Sequence, residues 1–252
     1  MNRFLDKLRN GEVALGQMVL ELFTPGIGPM LAACGLDFVI YDMEHGRCDI
    51  ACIAGMIASC RGTGITPMAR VPDLEAAPLS RVLDLGAMGV MVPRVETRAQ
   101  MERIVAELKY APQGKRGVAL GLAHDLYNAG GAAYFAQANQ QTAVIALVET
   151  ARAFDNLEDI VSVPGIDVAW MGHYDLTVSM GIPAQFDHPR FLEAMARLVG
   201  ICRKYNVAPG FLPPTPEAAA HWIHSGFRAI SLGSDVGVFM EGIRGFRAAT
   251  LA

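Results

Sequence analysis

Short apolar runs alternate along this chain with longer segments of helical period, the pattern of βα units stacked into a parallel sheet. Eight runs can be counted: Val13–Leu20, Leu36–Tyr41, Ile65–Ala69, Gly89–Val92, Val144–Val148, Ile166–Met171, Val207–Phe211 and Arg228–Leu232. Helical segments such as Ala99–Leu108 and Pro189–Tyr205 lie between them, and no Pro-, Gly- or Ser-rich linker divides the chain. Eight βα repeats close a barrel, so the pattern predicts a single (β/α)8 TIM barrel, one domain over residues 1–252. An open doubly wound sheet is the competing fold, but no Gly-rich dinucleotide fingerprint follows the first run. The longest interruption, Ala111 to Gln141, contains APQGKRGVALG and then a Tyr- and Ala-rich stretch of helical character. A loop that long in a compact barrel is expected over the active-site mouth.

Composition narrows the function classes. With 52% hydrophobic and 18% charged residues there is material for a large core and no sign of disorder. The formal net charge is −4, and four lysines (Lys7, Lys109, Lys115 and Lys204) stand against seventeen arginines with no basic stripe, so no nucleic-acid partner is expected. The amino-terminal MNRFLDKLRNGE has no apolar signal core and no run of about 18 uncharged apolar residues follows, so neither export nor a membrane partner is expected and the cytoplasm is the default. The cysteines, Cys34, Cys48, Cys52, Cys60 and Cys202, are odd in number and read as reduced, mostly buried thiols. Cys48 and Cys52 lack the second close pair that a zinc knuckle needs.

In such a barrel, catalytic groups project from the C-terminal ends of strands. The second run leads into Asp42, Glu44 and His45, the third ends in Arg70, the fifth in Glu149, and the sixth is followed by Asp175. Glu149 and Asp175 can bind a hard divalent cation with positions left for water and a chelating 2-oxo acid. Arg70 can donate to the ketone oxygen as it becomes an enolate, and His45 can serve as base, its basicity raised by Asp42 or Asp84. Plainer readings exist: Asp175 as a helix N-cap, Arg70 as a partner of Asp73, His45 as a satisfied turn histidine. Glu149 resists the capping reading because no helical start is obvious beside it. A Schiff-base mechanism would need a desolvated lysine at a strand end, whereas Lys7, Lys109 and Lys204 fall on helical segments and Lys115 in a loop.

The segments GLDFVIYDMEHG, MARVPD, RVLDLGAMGVMVPRVET, YAPQGKRGV, VETARAFDNLEDIVSVPGIDVAWMG and DLTVSMG resemble those of the class II HpcH/HpaI aldolases, over nearly the whole chain. The resemblance implies retro-aldol cleavage of 4-hydroxy-2-oxo acids to pyruvate, or a related 2-oxo acid such as hydroxypyruvate, and an aldehyde. It implies Mg2+, Mn2+ or Co2+ on Glu149 and Asp175, with no organic cofactor. The EH motif places the family's catalytic histidine on His45, assisted by Asp84 and Asp42, and Arg70 takes the pyruvate-binding and enolate-stabilising role. Substrate-contacting positions then fall on Arg70, Gly172, His173, Leu212, Val19 and Leu147. Family members are commonly hexamers, trimers of dimers, whose last helix packs on a neighbouring subunit, so a homo-oligomer is implied.

Departures from the family pattern cluster around the substrate. Gly172, His173, Tyr174, Asp175 and Leu176 stand where many members have Gly-Pro-Ala-Asp-Leu, Leu147 where they have Gln, Val19 for a common Trp, and His124 for an Arg. These changes could reshape the pocket for another 2-oxo acid or a larger, aromatic aldehyde. His173 beside Asp175 could also ligate a softer metal. Two further enzymatic readings use the same enolate: oxaloacetate decarboxylation with macrophomate-synthase-like carbon–carbon bond formation, and thioester cleavage, for which no basic cluster to hold the phosphates of coenzyme A is visible. A non-catalytic barrel that only binds a 2-oxo acid would not need His45.

Overall fold

The protein was analysed as a computed structural model that describes residues 1–74 and 79–251. Eight parallel strands, β1 (Ala14–Val19), β2 (Phe38–Asp42), β3 (Thr66–Arg70), β4 (Gly89–Val92), β5 (Ala143–Val148), β6 (Val168–Met171), β7 (Ala208–Phe211) and β8 (Ala229–Ser234), pair in sequence order and close when β8 meets β1. The helices are α1 (Arg3–Arg9), α2 (Ile27–Ala33), α3 (Ile50–Ser59), α4 (Arg81–Asp84), α5 (Arg98–Leu108), α6 (Gly131–Gln141), α7 (Ala151–Asp155), α8 (Leu157–Val161), α9 (His173–Ser179), α10 (Pro189–Tyr205), α11 (Pro216–Ser225) and α12 (Asp235–Leu251). Every apolar run counted in the sequence became a strand, because each is a short, largely buried segment flanked by polar turns.

Side chains alternate across each strand. Met18, Phe38, Ile40, Met68, Met91, Ile145, Leu147, Val168 and Trp170 fill the barrel interior, while Val19, Val39, Tyr41, Ala69, Val90, Val144, Val148 and Ala169 join the shell between sheet and helices. Two large rings need small neighbours: a side chain on Gly16 would collide with the Phe38 ring, and one on Gly210 with Trp170. At the floor, α1 acts as a plug. Its N-cap Asn2 accepts from Leu5 N and donates to Met88 O (2.9 Å) and Gln141 O (2.7 Å), while Phe4 packs edge-on against Phe38.

The interruption between β4 and β5 contains a 3-10 turn at Ala123–Asp125 and α6, consistent with its helical composition. At the carboxyl end α12 leaves the barrel surface, with Val238, Phe239, Met240, Ile243 and Phe246 exposed. Cys48, Cys60 and Cys202 are buried, but Cys34 and Cys52 are exposed; all five are free. No helix among the described residues is long and apolar enough to cross a membrane.

Candidate active site

At the C-terminal mouth the inward alternation continues one step past the apolar layers and delivers Asp42, Arg70, Glu149 and Gly172 to the same rim. Asp42 and Arg70 are register partners on β2 and β3. They form a two-pronged pair, Nε to Oδ1 at 2.8 Å and Nη2 to Oδ2 at 2.5 Å, with Asp42 fully buried. A third contact joins Arg70 Nη1 to Glu44 Oε2 at 3.0 Å. Glu44 is itself tied to the turn through its amide, which donates to Asp42 Oδ1 at 2.9 Å. These carboxylates hold the Arg70 guanidinium more basic than usual against the opposing effect of burial. The pairing with Asp73 therefore does not occur.

Glu149 stands across the mouth, 3% exposed. One oxygen, Oε1, accepts from the Arg94 amide at 2.8 Å, and Arg94 adopts a left-handed backbone (φ 54°) to present that amide. Burial pushes the carboxyl up to about 7, with further upward pressure from Glu44 and Asp175 and partial relief from Arg94 N–H and Arg70. Glu44 is raised for the same first reason, desolvation. A helix does start beside Glu149, contrary to the sequence reading, but Thr150 caps α7 and leaves the glutamate free. Asp175 lies in the first turn of α9, exposed, and caps nothing; Gly172 occupies the cap position without a side-chain bond. Any side chain at Gly172 would strike Cβ and Oε2 of Glu149. Gly172→Ala is therefore expected to fold but to lose activity by roughly 100-fold, the scale of a misplacement near 1 Å. Comparison of kcat/KM with the wild type at matched thermal stability checks this.

His45 follows Glu44 in the β2–α3 loop with its side chain 56% exposed, 4.0 Å from Glu44 Oε1. Neither carboxylate expected to orient it is available. Asp42 spends both oxygens on Arg70, and Asp84 at the end of α4 pairs with Arg116 Nη2 at 2.6 Å. Arg116 in turn stacks on the Tyr110 ring, so Asp84 belongs to the long β4–β5 segment rather than to the His45 loop.

Two of the expected substrate contacts, Val19 and His173, and the departure at His124 also fall elsewhere. Val19 is wholly buried in the outer shell; the inward positions at the end of the first strand are Met18 and Leu20, because the side-chain period of two puts Val19 on the opposite face. The His173 ring packs among Tyr174, Phe186 and Phe211, the last also an outer-shell residue, and burial lowers its basicity to about 4. It anchors α9 against β7 instead of entering the mouth. His124 bonds Tyr134 Oη through Nδ1 at 2.5 Å and Ala119 O through Nε2 at 2.7 Å within the β4–β5 segment. Leu147 and Leu212 do face the interior, and Gly172 abuts Glu149.

The sequence reading missed Asp235. At the start of α12 its carboxylate accepts from the amides of Leu20 (3.0 Å), Glu21 (3.0 Å) and Leu22 (2.6 Å), which shapes the β1–α2 loop at the rim. A lone Asp after the last apolar run was a signal, but nothing local linked it to residues 20–22. Lys109 is buried, donating to Asn139 O and Thr142 O, yet it sits at the foot of β5, away from the mouth.

The model of the HpcH/HpaI aldolase/citrate lyase family matches residues 18–242. A 4-hydroxy-2-oxovalerate aldolase of Novosphingobium aromaticivorans is 37% identical, covering 96% of this chain and 92% of its own. A 5-keto-4-deoxy-D-glucarate aldolase of Shigella boydii is 29% identical over 94% and 92% of the respective chains. Among solved structures, an HpcH/HpaI aldolase/citrate lyase family protein of Burkholderia cenocepacia superposes with a TM-score of 0.92 at 30% identity over 100% of both chains. This chain belongs to the HpcH/HpaI aldolase/citrate lyase family, and it is a carbon–carbon lyase of the aldolase type.

Proposed function

We propose that the protein is a metal-dependent aldolase that cleaves and forms 4-hydroxy-2-oxo acids, with pyruvate or a related 2-oxo acid such as hydroxypyruvate as one partner and an aldehyde as the other. The observation that carries this reading is the buried Arg70, clamped by Asp42 and Glu44 at the same mouth as Glu149. The names of the two relatives agree with it.

The residues fit a divalent cation. Glu149 is a buried carboxyl whose second oxygen has no hydrogen-bond partner among the described residues, whose neighbours Glu44 and Asp175 are acidic, and whose surroundings are kept open by Gly172. Among the described residues no three His, Cys, Asp or Glu are grouped so as to hold a metal ion by themselves, so a cation here would be held by Glu149 and Asp175 with its other positions left to water and substrate. Bound there, Mg2+, Mn2+ or Co2+ supplies the Lewis acidity that makes the proton next to the ketone removable. Arg70 donates N–H to the ketone oxygen as negative charge builds on it, and Asp42 fixes the plane of that guanidinium. His45, exposed at the rim, moves the proton at the reacting carbon or the aldehyde oxygen. Leu147 and Leu212 limit water on the inner wall.

The test is deuterium exchange into the pyruvate methyl group in D2O, read by NMR. Exchange is expected with added Mg2+, is lost on chelation and is sharply reduced in His45→Ala. Metal-independent exchange, together with protein trapped by borohydride and substrate, would overturn the reading; full exchange in His45→Ala would remove His45 as the base.

We further propose a cytoplasmic homo-oligomer, a hexamer in which α12 packs on a neighbouring subunit. The support is the exposed apolar row Val238, Phe239, Met240, Ile243 and Phe246, which a lone subunit would leave in water, and the five free thiols. Phe239→Asp with Phe246→Asp is expected to shift sedimentation-equilibrium mass from hexamer to smaller species, and a monomeric wild type would refute the assembly.

A further inference from the structure

The floor of the barrel, at the opposite end from the site above, carries a second concavity of about 350 Å³. Its lining includes Arg9 from the last turn of α1, Arg203 from the last turn of α10, and Arg228 immediately before β8, with Asp167 as the only acidic residue. In a chain of net charge −4, three arginines from segments far apart in sequence line one cavity, Arg9 and Arg203 exposed at its edge and Arg228 half-buried.

A purely structural explanation covers part of this. Helices of a barrel run opposite to the strands, so their C-terminal carbonyls face the floor and attract cations. Arg9 Nη2 donates to Gln140 O at 2.6 Å, and Arg228 Nη1 donates to Ile223 O at 3.1 Å and Phe227 O at 2.9 Å. These bonds hold two guanidinium groups in place and leave most of their N–H donors unspent. The exposed Arg203 side chain has no hydrogen bond or ion pair among the described residues, so capping does not hold it. Nor is the positive charge cancelled. The ends of α10 and α11 contribute about half a negative charge each, and their last carbonyls already accept backbone N–H at Asn206, Val207, Gly226 and Phe227. Asp167 is also shared with Lys109 and accepts from Val144 N at 2.9 Å.

We infer that this cavity is a binding site for a small phosphorylated anion, held by Arg9, Arg203 and Arg228. Three planar forks suit the three terminal oxygens of a phosphate group better than the two of a carboxylate. The volume exceeds that of the phosphate group itself and leaves room for a short organic stem. The site is separate from the aldolase mouth and does not depend on that assignment.

Isothermal titration of the full chain, dialysed free of divalent cations, with inorganic phosphate and with glycerol 3-phosphate tests the inference, ionic strength being held constant with sodium chloride. Saturable binding is expected, weakened at least about tenfold in Arg203→Ala and lost in Arg203→Glu, with pyruvate deuterium exchange unchanged in both. Tighter binding of the ester identifies an organic phosphate as the occupant, and equal binding identifies free phosphate. No saturable heat with either compound up to about 10 mM, or the same affinity in Arg203→Glu, overturns the proposal.

Discussion

Arg70→Ala is expected to destabilise the protein by about 3–5 kcal/mol and to abolish turnover, the first effect following from what the arginine leaves behind. Asp42 is fully buried and Glu44 nearly so, and their positive partner within 3.0 Å would be gone. An uncompensated buried charge costs that much where a complete ion pair costs little. For a chain of this length the melting temperature should fall by roughly 10 °C or more. Arg70→Lys separates stability from chemistry, because it keeps the charge but cannot present Nε and Nη2 to Asp42 while directing another N–H at substrate. It should fold with a smaller loss, readable by urea denaturation, and still lose about 10³-fold in kcat/KM, the scale of removing a donor to a developing oxyanion. Near wild-type turnover in Arg70→Lys would mean that the guanidinium plane is not used.

Glu149→Gln should lower kcat/KM by about 10³-fold and weaken activation by Mg2+, yet leave the cation-free protein more stable than the wild type above neutral pH. The fold raises this carboxyl from 4.5 to about 7, chiefly by burial. Between those values the native state binds more protons than the unfolded chain, so its stability falls as pH rises. The full effect corresponds to about 3 kcal/mol, complete once the pH passes the folded value near 7. The buried His173, lowered to about 4, adds stability with rising pH below about 6.5 in wild type and variant alike, so the decline should be read from pH 5 to pH 8 in the stability of cation-free wild type minus that of Glu149→Gln. Mg2+ should remove that difference by holding Glu149 ionised in the wild type. A wild-type-minus-variant difference that is flat over this range would show that Glu149 is ionised without a cation.

Much of the site was legible because it is periodic. Polar residues that end the apolar runs of a barrel reach its mouth, which located Arg70 and Glu149 there; Leu147 and Leu212 came from the family resemblance alone, and the period of two turns both inward. The errors came where phase or partner was not local. Val19 was one residue out of phase with the interior, and an alignment of residue types cannot register that. The family pattern implies a pocket position for His173, but an imidazole at the first position of α9 packs on Phe186 and Phe211. Asp42 and Asp84 were both assigned to His45, whereas Asp42 is committed by strand register to Arg70 and Asp84 to Arg116.

Taken alone, the sequence determined the eight strands, their order, and the polar residues that terminate them, because hydrophobic alternation and turn chemistry act over a few residues at a time. The tertiary structure decided everything that needs two distant segments to meet. It selected Asp42 and Glu44 as the partners of Arg70 and set Asp235 to hold the loop at Leu20–Leu22. It also gathered Arg9, Arg203 and Arg228 under the floor of a chain whose sequence shows no basic cluster. Charge and hydrogen bonding depend on distance in space, and only the closed barrel brings those residues within reach of one another.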